Sequence, residues 1–181
     1  FNLDRAGAFF SSDSFVVSPS NEKLARRLGI KCGSISQHGA IKGVDTREYK
    51  FSVKIRRDVR SGLGIPFNDF VIGCICRIHP SKNLSELVDA YRLFHRELGC
   101  DNVHLVIAGP VDNQSLAKEL EVSGVHNLIL IPEKVYVRDL LCAFDIFCLP
   151  TSREGFGNIF IEASSIELPV VALRRPGVMD S

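Results

Sequence analysis

The chain has 181 residues, 45% of them apolar and 24% charged, with 22 Lys+Arg against 21 Asp+Glu. That mixture excludes wholesale disorder and collagen-like or low-complexity chains, and a chain of this length buries roughly 70% of its unfolded surface without a disulfide or metal staple. The net charge of +1 conceals an uneven spread, with residues 1–60 carrying +6 and residues 61–181 carrying −5. A basic half of this kind suits an anionic surface, but no RNP, zinc-finger or basic-zipper pattern points to nucleic acid.

The first 67 residues are irregular. Residues 15–18 are expected as a short strand and residues 21–28 as a helix that stops at Gly29. Gly33, Gly39 and Gly43 then break the chain into loops. Residues 56–63 read as a short charged helix ahead of Pro66. From about residue 68 the pattern becomes regular. Apolar runs at 70–76, 103–108, 127–131, 145–149 and 169–173 show no alternation, the mark of strands buried on both faces of a parallel sheet. Between them lie amphipathic stretches. Leu84, Leu87, Val88, Tyr91, Phe94 and Leu98 form one helical stripe, with Asn83 and Glu86 as a capping box and Gly99 as the stop. Further helices are expected over 115–123, 137–144 and 158–166. This alternation predicts an α/β fold, a doubly wound parallel sheet with right-handed crossovers.

The six cysteines, Cys32, Cys74, Cys76, Cys100, Cys142 and Cys148, include no C-x-x-C pair and no Cys/His cluster at zinc-finger spacing. Cys74, Cys76 and Cys148 sit in apolar runs, where a free thiol behaves as a small hydrophobe. A reducing, cytoplasmic setting is expected, with no run of transmembrane length and no signal peptide. The chain opens on Phe1, and its only methionine is Met179. It is therefore expected to be a piece of a longer protein, or a processed one.

Open parallel sheets bind ligands beyond the carboxyl ends of their strands, near a switch point. The first strand carries one glycine, Gly73, and not G-x-G-x-x-G. Gly109 follows the second strand without the Gly-Lys-Ser/Thr of a P-loop, and no G-x-S-x-G elbow is present. NAD enzymes, P-loop ATPases and α/β-hydrolases are disfavoured. Two strand ends do carry polar groups. Arg77 and Lys82 follow the first strand and flank a helix N-terminus, where cations, backbone N–H groups and the helix dipole favour an anion. After the fourth strand comes Glu154-Gly155-Phe156-Gly157-Asn158, with Glu162 eight residues beyond Glu154. Glycines admit a ligand close to the backbone, and carboxylates accept hydrogen bonds from sugar and ribose hydroxyls. Together these groups describe a site for a sugar diphosphate.

Arg77, Lys82, the Glu154-Gly155-Phe156-Gly157-Asn158 loop and Glu162 resemble the donor half of retaining GT-B glycosyltransferases of family 4. The flanking residues 149–153 and Ala163-Ser164 fit as well. Residues 39–45 resemble the Gly-Ser-x-Asn-Gly-Val-Asp hinge of members that build capsule and O-antigen polysaccharides, and residues 176–180 resemble the Pro-Gly-x-x-Asp that follows their fifth strand. Ala40, Lys42 and the segment from His79 to Asn83 depart from the family pattern.

The resemblance implies a Rossmann-like donor-binding domain over residues 69–181, and the end of an acceptor domain with its hinge over residues 1–68. It implies that Arg77 and Lys82 hold the donor diphosphate and that Glu154, with the N–H groups of Gly155, Phe156, Gly157 and Asn158, holds the sugar. Glu154, Arg77 and Lys82 would be the catalytic set. Glu162 would hold the ribose, and Glu133 and Val135 would lie along the base. The donor would be a UDP- or GDP-linked sugar, used without a metal, since no D-x-D motif is present. The acceptor would be a glycan or lipid-linked acceptor, with peripheral contact to the inner face of the cell membrane. None of His38, His79, His95, His104 and His126 matches the family's catalytic histidine, so surface or strand-edge roles are expected for them. The chain alone is expected to bind donor without turning it over. The alternatives are a UDP-sugar 2-epimerase of the same fold and a non-catalytic nucleotide-binding α/β module.

Overall fold

The computed structural model describes residues 7, 14–31 and 43–181. Cys32, Gly33, His38 and the hinge positions 39–42 lie outside the described residues. In chain order the elements are α1 (Pro19–Arg27), α2 (Val53–Gly62), β1 (Phe70–Ile75), a 3-10 turn (Pro80–Lys82) and α3 (Leu84–Leu98). Then come β2 (Val103–Ala108), α4 (Gln114–Glu121), β3 (Leu128–Ile131), α5 (Val137–Ala143), β4 (Ile146–Leu149), α6 (Asn158–Ser165) and β5 (Val170–Ala172). The chain forms two compact units: one of Phe1–Val44, Arg153–Ile161 and Arg174–Ser181, the other of Asp45–Ser152 and Glu162–Leu173.

The second unit holds a parallel five-stranded sheet in the order β3-β2-β1-β4-β5. Phe70 pairs with Val103 and Ile75 with Ala108, while Ile72 and Gly73 pair with Ile146 and Phe147. All five expected strands form. All six residues of β2 are buried, as an uninterrupted apolar run demands of a central strand. Gly73 lies under the Phe144 ring, which a Cβ at that position would overlap. The single glycine of β1 thus serves packing, not a phosphate.

The order reverses between β1 and β4. From β1 the chain winds outward through β2 to β3, and on the other side β4 is followed by β5. The gap at the carboxyl ends of β1 and β4 is therefore the switch point at which open α/β sheets bind ligands.

The charged helix forms as α2, three residues earlier than expected, because Ser52 caps it by accepting the Ile55 N–H. Lys54, Arg57 and Asp58 are exposed, but Arg56 and Arg60 turn inward. Arg60 is 1% exposed and donates to the carbonyls of Ala143, Phe67 and Asp69 and to Asp145 Oδ2. Arg56 reaches Asp145 Oδ1 at 2.5 Å and the Phe144 carbonyl at 2.8 Å. Asp145 Oδ2 also accepts the Val71 N–H. One carboxylate thereby joins α2 to the starts of β1 and β4. His104, expected at a surface or strand edge, is instead buried in β2 against Asp69 at 2.8 Å, where the carboxylate satisfies its ring nitrogen.

Two local expectations fail. Residues 15–18 form no strand; Ser18 instead caps α1, accepting the Asn21 N–H ahead of a proline in the first turn. Asn83 and Glu86 form no capping box. Asn83 takes the left-handed conformation, φ 52°, to turn the 3-10 segment into α3, and this sends its side chain to the Pro150 carbonyl at 2.8 Å. Gly99 ends α3 as expected, with φ 59°.

Candidate functional site

In the second unit, β1 and β2 run on together past their strand ends. The N–H of Ile78 donates to the Pro110 carbonyl, and the N–H groups of Asp112 and Asn113 donate back to Ile78. This extension sets Arg77 and Lys82 beyond the sheet's carboxyl edge, in different surroundings. Arg77 is exposed and pairs with Asp112 at 2.5 Å. An exposed pair of this kind contributes at most about 1 kcal/mol, so the guanidinium is easily diverted to another anion. Lys82 is 8% exposed. It closes the 3-10 turn, whose His79 Nδ1 accepts the Ser81 N–H.

That turn is fixed to the neighbouring strand end. The Ser81 carbonyl accepts the Ser152 N–H at 2.9 Å, the Ser152 hydroxyl at 2.8 Å and the Thr151 hydroxyl at 3.4 Å. With the bond from Asn83 to Pro150, the loops after β1 and β4 form one hydrogen-bonded piece around Lys82. A buried lysine at a switch point, framed by backbone groups, is suited to an anion. Beneath it, Cys74 is a buried thiol whose pKa is pushed well up by its contact with Cys76 and by burial. All five described cysteines are free, and this one is inert.

Glu162 lies half-buried in the second unit beside Tyr49. Burial first, and then the Glu162 carboxylate, push the Tyr49 hydroxyl above its ordinary value. The Tyr49 carbonyl accepts from Ser165. Glu133 is exposed and Val135 half-buried after β3. The next residue, Tyr136, donates to Glu48 at 3.1 Å.

Glu154, Gly155, Phe156, Gly157 and Asn158 belong to the first unit. Asn21, from the first turn of α1, donates to the carbonyls of Glu154 at 3.1 Å and Gly155 at 2.7 Å. A Cβ on Gly177 would overlap the Glu154 carbonyl, so the Pro176-Gly177 turn packs directly on this loop. Asp180 accepts the N–H and hydroxyl of Ser20 at 3.0 and 2.8 Å. Asn21, Ser20 and Asp180 are thus supports of the loop that sequence motifs missed; the Pro-Gly-x-x-Asp resemblance was their one signal.

Burial alone would raise the Asp180 carboxyl, but hydrogen bonds from Ser18 and Ser20 and from the backbone of Ser20 and Gly177 outweigh it and lower its pKa. The lowered group contributes stability above about pH 4, and loses it as the pH falls through the folded value. In urea titrations, the gap between wild type and Asp180→Asn should be open at pH 7 and close below about pH 4. A gap independent of pH would show that the carboxylate form is not what holds the loop.

Residues 69–181 match the family model described as Glycosyl transferases group 1. A relative from Staphylococcus aureus, the capsular polysaccharide biosynthesis glycosyltransferase CapM, is 31% identical over 120 residues, which are 63% of this chain and 30% of CapM. HepE from Anabaena, crystallised with UDP and glucose, superposes with a TM-score of 0.79 at 22% identity, over 96% of this chain and 47% of HepE. The C-terminal domain of the group 1 family protein LpcC from Francisella tularensis superposes with a TM-score of 0.61 at 21% identity, over 75% of this chain and 72% of that domain. At these identities the two structures speak to the fold, and the expected Rossmann-like, GT-B type of α/β fold is borne out. The chain spans about a third of the length of CapM and about half that of HepE. The comparisons do not favour the 2-epimerase alternative. Among the described residues, no helix is long and apolar enough to cross a membrane.

Proposed function

Because the chain belongs to the group 1 glycosyl transferases, we propose that it is the donor-binding half of a retaining family 4 enzyme. The parent protein moves a sugar from a UDP- or GDP-sugar to a glycan or lipid-linked acceptor in polysaccharide biosynthesis. The observation that carries this reading is Lys82, buried at the switch point between β1 and β4, with Arg77 on the same strand exit. CapM's name supports the polysaccharide context, and the UDP held by HepE supports a nucleotide donor.

On this reading Lys82 and Arg77 hold the diphosphate. When the bond between the anomeric carbon and the phosphate oxygen breaks, the electron pair stays with the departing nucleoside diphosphate. Fixed cations stabilise that charge without reorganising, so the proposed reaction runs without a metal. Glu154 and the N–H groups from Gly155 to Asn158 hold the sugar, Glu162 the ribose, and Glu133 and Val135 the base. The isolated chain binds donor without transferring it; sugar transfer by the chain alone would contradict this. The basic residues 1–60 fit peripheral contact with the cytoplasmic face of the membrane, and equal sedimentation of the parent protein with neutral and anionic vesicles would remove that contact.

Calorimetric titration of the chain with UDP-glucose and GDP-mannose tests the donor site. One of the two should bind, and Lys82→Ala and Arg77→Ala should each weaken it by roughly 1.5–3 kcal/mol, the range for a hydrogen bond to a charged group. Binding that is unchanged in both variants would sink the assignment.

A further inference from the structure

The far edge of the same sheet gathers three metal-ligating side chains from three separate segments. His95 lies in the last turn of α3, Asp101 in the turn before β2, and His126 just before β3. Asp101 Oδ1 stands 3.7 Å from His95 Nε2 and 3.9 Å from His126 Nε2. The three ligand atoms all fall within 4.8 Å of one another, and the two imidazole rings are tilted 58° to each other with centroids 5.0 Å apart. In a tetrahedral zinc site, ligand atoms about 2.0–2.2 Å from the ion are separated by about 3.4 Å. The two distances to Asp101 exceed that by only a few tenths of an ångström, and the two histidine ligand atoms lie within 4.8 Å of each other.

A second observation points the same way. His95 Nε2 is buried and has no hydrogen-bond partner among the described residues. A buried nitrogen left unpaired carries an uncompensated desolvation cost, and a cation between it and Asp101 would remove that cost. The frame is also fixed. Asn127, next to His126, donates to the carbonyls of Asp101 and Val103 at 2.7 and 3.1 Å, joining the two loops. Tyr91, one turn before His95, donates to the Val103 carbonyl at 2.8 Å, joining α3 to β2.

We propose that His95, Asp101 and His126 bind a zinc ion, with water in the fourth position. Two imidazoles and one carboxylate suit Zn²⁺ and its neighbours Co²⁺ and Ni²⁺ rather than Mg²⁺ or Ca²⁺. The site stands where β2 and β3 begin, opposite the edge that carries Arg77 and Lys82. Its ion is a tie between the end of α3 and the two strand-entry loops, and takes no part in sugar chemistry. Motif reading passed over it because no two ligands share a metal-binding spacing.

The test uses the metal-stripped 181-residue chain titrated with ZnCl₂ and, separately, CoCl₂. One equivalent of Zn²⁺ should bind and raise the melting temperature, since a ligand that prefers the native state stabilises it. His126→Ala, at an exposed position, and Asp101→Asn should each weaken Zn²⁺ at least about tenfold, while Cys100→Ser leaves it unchanged. Bound Co²⁺ should show ligand-field bands without thiolate charge transfer. Wild-type affinity in both ligand variants, a thiolate band, or loss of binding in Cys100→Ser would each overturn the site.

Discussion

Replacing Arg60 by alanine is expected to lower the unfolding free energy by about 3–5 kcal/mol, the range for removing one partner of a buried ion pair. The side chain is 1% exposed and donates to three carbonyls and to Asp145. Truncation leaves all four acceptors short of a partner at a part-buried site. Arg56 still reaches Asp145, so the carboxylate keeps one charge neighbour, but the carbonyls of Ala143, Phe67 and Asp69 lose the Arg60 donor. Lysine should restore little, because a single ammonium does not reproduce the planar fork that serves several acceptors at once. Urea unfolding of Arg60→Ala and Arg60→Lys reads the effect directly. A midpoint for Arg60→Ala equal to wild type would mean that α2 is only loosely attached to the sheet.

Gly109→Ala should be nearly as damaging, and should act on the donor site as well. Gly109 closes β2 with φ +141°, a conformation that side chains rarely adopt, and a Cβ there would overlap the Cys76 carbonyl and lie 3.5 Å from the Arg77 nitrogen. Strain and overpacking together cost about 2–5 kcal/mol. The atoms that must move are the backbone of the strand exit leading to Arg77 and Lys82. Donor affinity should therefore fall with stability. Gly62→Ala is the control. It lies in α2 with open space around it, and should be neutral or stabilising by up to about 1 kcal/mol. If Gly109→Ala unfolds at the wild-type midpoint and binds donor normally, the β1–β2 exit is more compliant than its hydrogen bonds imply.

The sheet was legible in the sequence because its strands are apolar runs without alternation, although only β2 is buried along its whole length and β5 is exposed at all three residues. The amphipathic stripe from Leu84 to Leu98 gave α3 for the same reason. Helix α2 was harder. Residues 56–63 read only as a short charged helix, since Asp145, the partner of Arg56 and Arg60, stands 89 and 85 residues away and only the fold joins them. Asn83 shows the limit of local rules. The spacing of Asn83 and Glu86 suits a capping box, yet the turn demanded a left-handed residue and asparagine tolerates that conformation well. At the candidate site, Arg77 and Lys82 were visible as cations after a strand. That one is paired on the surface and the other buried was not visible, nor were the contacts to Ser81 from residues about seventy positions on.

Those contacts bear on the thermodynamics of recognition. Loops that order only when a ligand arrives spend part of the interaction energy on lost conformational freedom. Here the carbonyl of Ser81 and the side chain of Asn83 already fasten the β1 exit to the β4 exit. Little entropy remains to be lost around Lys82. Anion binding at this edge should then be governed by charge and desolvation, with a small heat-capacity change and a strong dependence on salt.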